Sequence, residues 1–85
     1  MDYIKVGKIT HYFDKIGVAV MQMTDGGVKS GDMIRIGEFG TGVEQKVESM
    51  QVDHQQVNTA NKGDEVGLKV DSLVKPGTIV YKVSG

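Results

Sequence analysis

The 85-residue chain has no cysteine, a single proline and no apolar run near membrane-spanning length. Without cysteine, disulfides, thiolate nucleophiles and zinc–thiolate sites are excluded together. The opening Met1-Asp2-Tyr3-Ile4-Lys5 is acidic and lacks a long apolar stretch, so no secretory leader is expected. With no stretch long enough to cross a bilayer, the expectation is a cytoplasmic protein with no membrane partner. An excess of either charge is also lacking: Lys and Arg total 10, Asp and Glu 11, for a net charge of −1. That balance does not suit a protein whose main task is neutralising many phosphates, although it leaves room for a local basic patch. The length allows one domain, residues 1–85, and no large cleft between domains.

What the chain does have is glycine, 12 in all, and β-branched residues that alternate instead of recurring at helical spacing. Both features predict strands joined by glycine turns. Six strands are expected, over residues 3–13, 16–23, 33–36, 43–52, 65–70 and 78–83. In the first, the apolar phase moves from Ile4 and Val6 to Ile9, His11 and Phe13 across Gly7, which predicts a β-bulge. The second is apolar on both faces, which predicts a central position. Residues 37–42 hold three glycines and read as a loop, and residues 53–61 as a polar loop or single helical turn held by Val57 and Ala60. Lys75-Pro76-Gly77 is a strong turn signal. The Gly-Asp turn before an apolar strand occurs twice, at Gly31-Asp32 and Gly63-Asp64, as reuse of one turn solution. Short strands at such intervals predict an all-β fold, a small six-stranded closed β-barrel, in which closure removes exposed edges.

Few residues carry chemistry. Asn61-Lys62-Gly63-Asp64 matches a guanine-reading tetrapeptide, but no phosphate-binding loop accompanies it, so GTP is not expected. His11 and His54, with Asp53, make at best half a metal site. Ser30, Ser49, Ser72 and Ser84 stand in no recognisable nucleophile elbow. No catalytic residue, metal or cofactor is therefore expected, and the chain is read as no enzyme. Lys8, His11, Tyr12 and Lys15 interleave bases with aromatics, so rings can stack on unpaired bases while the lysines meet phosphates; Arg35 is a supporting cation. The plainer alternative puts Phe13 and His11 in the core and the lysines in solvent. Met21, Met23, Met33 and Met50 read as adaptable core filler. Tyr3 and Tyr81 are expected to pack where the terminal strands pair.

One ordered set of segments is familiar: Gly7-Lys8-Ile9, then Val28 to Ile36 with its Lys29-Ser30-Gly31-Asp32 turn, Val47-Glu48-Ser49-Met50, Ala60 to Leu68, and Lys75 to Val80. It resembles the second, β-barrel domain of elongation factor Tu and other translational GTPases, here as a small stand-alone elongation factor-like chain. The resemblance implies a six-stranded barrel and contact with RNA. Similar barrels also occur as accessory domains, for instance at the C-terminus of some collagenase-like bacterial peptidases. Two functions follow as expectations. The first is a non-catalytic module associated with RNA or the ribosome, acting in translation. The second is a protein-interaction barrel that docks a separate enzyme or partner chain, which the near-neutral charge favours.

Overall fold

The spine of the molecule is a twelve-residue strand, β1 (Asp2–Phe13), rich in the β-branched and aromatic side chains that suit a pleated, half-buried surface. The structure is a computed structural model and describes residues 2–37, 42–53, 55–71 and 73–84, with the backbone alone at Ser84. Among these residues the regular structure is all strand: β2 (Val18–Met23), β3 (Val28–Lys29), β4 (Met33–Ile36), β5 (Val43–Lys46), β6 (Met50–Val52), β7 (Gln55–Val57), β8 (Thr59–Ala60), β9 (Glu65–Lys69) and β10 (Ile79–Ser84). Eight of them form one sheet in the order β5-β4-β10-β1-β2-β9-β6-β7, and β3 pairs with β8 separately. Every pairing is antiparallel. Among the described residues no helix is long and apolar enough to cross a membrane.

Chain connectivity forces this sheet to curl. β5 lies at one edge and β6 six strand spacings away, which in a flat sheet is about 29 Å at 4.8 Å per strand. Only residues 47–49 separate β5 from β6, and so short a link reaches at most about 14 Å. The two ends of the sheet must therefore swing toward each other. Two irregularities in β1 supply local bends, with the register slipping between Lys5 and Gly7 against β10 and between Ile9 and His11 against β2. The first is the bulge expected at Gly7. A Cβ at Gly7 would collide with the backbone oxygen of Gln22, so only glycine lets β1 approach β2 this closely.

The curl brings β5 beside the end of β9, and one side chain joins them. Gln45, the one buried polar residue among those described, donates from Nε2 to the Lys69 carbonyl at 2.9 Å. Its Oε1 accepts from the Asp71 N–H at 3.0 Å. Val47 extends the β4–β5 ladder through bonds of 2.8 Å with Gly31 and Asp32, and the chain then turns into β6. No ladder joins β5 to β7 among the described residues, so the sheet is an open, curled half-barrel, not the closed six-stranded barrel expected. The difference begins at residues 43–52. Val47 and Met50 are both buried, one at an odd and one at an even position, and a single strand cannot turn both inward. The stretch breaks into β5 and β6 at that corner. Residues 53–61, read as a loop or helical turn, instead supply β7 and β8.

Where the turns are concerned, expectation and structure agree. Lys29-Ser30-Gly31-Asp32 and Asn61-Lys62-Gly63-Asp64 are built alike. In each, the first residue's N–H donates to the Asp Oδ2, at 2.8 and 2.9 Å, and the Asp N–H returns a bond to the first residue's carbonyl, at 3.0 and 2.9 Å. Gly31 and Gly63 take φ of 96° and 94°, values that L side chains rarely adopt. The likeness extends into the strands: Val28, Ile34 and Ile36 on one side correspond in spacing and burial to Ala60, Val66 and Leu68 on the other. The guanine-like tetrapeptide is thus the turn into β9. The core inside the curl joins these six residues to Val6, Ile9, Ala19, Met21, Met23, Val47, Met50, Val70, Val74 and Val80. Met33 departs from the expected core filler and is exposed. The terminal strands pair as expected, Tyr3 with Val83 and Lys5 with Tyr81. Residues 38–41 of the expected glycine loop, with His54 and Ser72, lie outside the described residues.

Replacing Gln45 by Leu strands the Asp71 N–H and the Lys69 carbonyl at the seam. The expected cost is about 1–3 kcal/mol, the usual penalty for unmade bonds of partly buried groups, read as a lower urea midpoint with unchanged m-value.

Candidate functional site

The five residues expected to meet RNA do not form one site. Lys8 is exposed on β1, between Gln22 of β2 and Ile79 of β10. His11 is exposed and stacks on Phe13, with ring centroids 6.4 Å apart and an interplanar angle of 25°. Tyr12 points to the other face and packs against the core. Lys15 is exposed in the turn after β1. Arg35 belongs elsewhere: its Nη1 lies 2.9 Å from Glu44 Oε2, and its guanidinium sits 5.8 Å from the centre of the Tyr3 ring. The Tyr3 hydroxyl donates to the same carboxylate oxygen at 3.2 Å. Tyr3 and His11 are eight residues apart on one strand, about 26 Å at the strand rise. The alternation of β1 therefore splits His11 from Tyr12, and its length separates Arg35 from the hairpin. The alternative that buried His11 and Phe13 is also corrected, since both lie on the solvent side.

What the hairpin does build is a groove of mixed apolar and polar lining on the outer face of β2, β9 and β6. Strand pairing places His11, Val20, Gly67, Gln51 and Gln56 in one row across the sheet, from β1 to β7. A second row runs Phe13, Val18, Lys69, and a third Lys8, Gln22, Glu65. Gly67 contributes no side chain, so the middle of the floor is low between Val18, Val20 and Gln51. Phe13 and Ile16, 50% and 65% exposed, stand at one end. At the other end come Asp64 and Glu65, with Asp53 in the turn after β6. The groove has a volume of about 520 Å³ and no Lys or Arg in its lining.

The turn carrying Ile16 is set by Gly17, whose φ is 65° and whose carbonyl accepts from the Val70 N–H at 2.9 Å. Asp53, at φ 52°, holds the left-handed geometry that Asp tolerates better than most residues. Of these groove residues only Phe13 fell within the stretch singled out from the sequence. A signal for the rest is present in the second apolar face of β2, which is also central in the sheet as expected, between β1 and β9. A second cleft is lined by Ile36, Val43, Leu73 and the Pro76 turn. Among the described residues, no three His, Asp or Glu side chains form a group able to hold a metal ion.

With the geometry in place, comparison with known proteins corrects the functional expectation. The chain is 39% identical over 79 residues to an uncharacterized protease of Methanocaldococcus jannaschii, covering 92% of this chain and 19% of the protease. It is 38% identical over 80 residues to a collagenase of Porphyromonas gingivalis, covering 93% of this chain and 19% of the collagenase. The chain thus spans about a fifth of the length of the curated relatives it matches. No protein-family model matches it. Among solved structures, the C-terminal domain of a Geobacillus thermoleovorans protein assigned as a U32 peptidase superposes with a TM-score of 0.84 at 18% identity, covering 93% of this chain and 91% of that one. At that identity the likeness is one of fold.

These findings overturn the likeness to the second domain of elongation factor Tu, and with it the stand-alone elongation factor-like identity. A module acting in translation on RNA or the ribosome is overturned too, because the matched proteins are named for proteolysis. So is the reading of the chain as no enzyme, since its relatives are named protease and collagenase. The physical source of the error is plain. Glycine turns before apolar strands recur wherever short strands curl around a small core, so an ordered set of them reports architecture before function.

Phe13 and Ile16 are too exposed to hold the fold together. The variants Phe13→Ser and Ile16→Ser are expected to change stability by no more than about 0.5 kcal/mol, with a thermal midpoint close to that of the unmodified chain.

Proposed function

We propose that this chain works in polypeptide breakdown as a domain of a peptidase, and that it holds polypeptide on the outer face of its sheet, in the groove between Phe13 and Glu65. The observation that carries the reading is the 39% identity to a protease, which extends over 92% of the chain. The collagenase match, at nearly the same identity and coverage, points to the same class of substrate. The groove is suited to the task. An extended polypeptide needs an apolar floor for alternate side chains and polar groups at the margin to orient it. Val18 and Val20 supply the first, with Phe13 and Ile16 at its end, and Gln51, Asp53 and Glu65 the second.

Gelatin, as denatured collagen polypeptide, is the probe of choice. Purified chain passed over immobilised gelatin is expected to bind saturably and to be competed by soluble gelatin peptides. Mass spectrometry of the same mixtures reads any newly formed peptide ends. Their appearance with the purified chain alone would place hydrolysis on it, and binding without new ends would leave it the holding role. A folded chain that neither binds nor cleaves gelatin or a mixed peptide library at millimolar concentration would contradict the reading.

A further inference from the structure

The two ends of the groove differ in chemistry, and the strand register fixes how far apart they are. Phe13 and Val18 share one row; Gln22 and Glu65 share another, four residues further along β2. The β6–β9 pairing, Met50 with Leu68 and Gln51 with Gly67, carries Asp53 toward the Glu65 end. Asp64, next to Glu65, uses Oδ2 to hold the Asn61 N–H. Asp53 and Glu65 are exposed, and neither makes an ion pair with another described residue. No Lys or Arg lines the groove. The Phe13 end carries Phe13, Ile16 and Val18, with the exposed Lys69 facing Val18 from β9, and Lys8 stands across Gln22 from Glu65 in the other row.

We infer that the groove selects an extended polypeptide segment carrying an apolar side chain and, about four residues away, a Lys or Arg, with Asp53 and Glu65 as the specificity-determining residues. The inference rests on the polypeptide-holding role proposed above and adds the sequence it prefers. The spacing follows from the rows: four residues of β2 span about 13 Å, and a bound strand lying alongside advances at the same rise per residue. The apolar side chain lies against Phe13, Ile16 and Val18. The cation meets two carboxylates that make no ion pair with a described residue, Lys8 standing two strands from Glu65. Because both carboxylates are solvent-exposed, they contribute modestly and their effect is screened by salt.

Fluorescence anisotropy of labelled eight-residue peptides tests this, comparing Leu and Arg four residues apart with the same peptide carrying Glu in place of Arg. The Arg peptide is expected to bind about five- to tenfold tighter at low salt, with the ratio falling toward unity in molar NaCl. The double variant Asp53→Asn, Glu65→Gln should abolish the preference at an unchanged thermal midpoint, since Asn tolerates the left-handed backbone at position 53. The double variant Phe13→Ser, Ile16→Ser should weaken both peptides. Equal affinities for the two peptides, or a preference that survives Asp53→Asn with Glu65→Gln, would overturn the inference while leaving gelatin binding intact. Failure of both peptides and of gelatin on folded protein would instead bring down the polypeptide-holding role itself.

Discussion

The Gln45 carboxamide joins the edge strand β5 to the end of β9, where no strand ladder connects them among the described residues. Connectivity alone draws β5 toward β6, because three residues cannot bridge six strand spacings, but it does not say what holds the seam once the edges meet. A primary amide suits the position, with a donor for the Lys69 carbonyl and an acceptor for the Asp71 N–H, so both backbone groups are satisfied at once. A carboxylate would repel the carbonyl, and an aliphatic side chain would satisfy neither. With the seam held, Val47, Met50, Val66 and Leu68 stay inside one continuous core.

The groove is a consequence of the same curl. Tight approach of β1 to β2 at Gly7, the slip at Ile9 to His11 and the short β6 leave β2, β9 and β6 as a panel whose inner face belongs to the core. Its outer face is low at Gly67 and walled at the ends. The inward residues of β2, Ala19, Met21 and Met23, are fully buried, while Val18 and Val20 on the outer side are only partly covered. A strand apolar on both faces, in a sheet covered on one, leaves a surface suited to a further chain. The Arg35–Glu44–Tyr3 cluster, by contrast, pairs its cation with its carboxylate.

Much of the architecture was legible from local chemistry. The bulge at Gly7, the Pro76-Gly77 turn and the twin Gly-Asp turns each depend on a few adjacent residues, and each is found. Thr78 N–H, for instance, reaches back to the Lys75 carbonyl at 3.2 Å, as a Pro-Gly turn requires. The open edge was not legible, because it depends on the corner at residues 47–49 and on a long-range bond from Gln45 to a segment 24 residues away. The groove was half visible. The stretch from Lys8 to Lys15 drew attention through its aromatics, but strand alternation turns Tyr12 inward and leaves Phe13 beside Ile16 and the outer valines. The acidic rim comes from β6 and β9, which only the fold brings there.

The role in polypeptide breakdown turns on whether chain is held on this outer face and nowhere else. Backbone amide shifts of isotopically labelled protein, recorded by NMR as gelatin-derived peptides are added, address it directly. The largest changes are expected at Phe13, Val18, Val20, Gly67 and Asp53, with Tyr3, Arg35 and Glu44 unmoved. Shifts clustered around Arg35, or spread evenly over the surface, would contradict it.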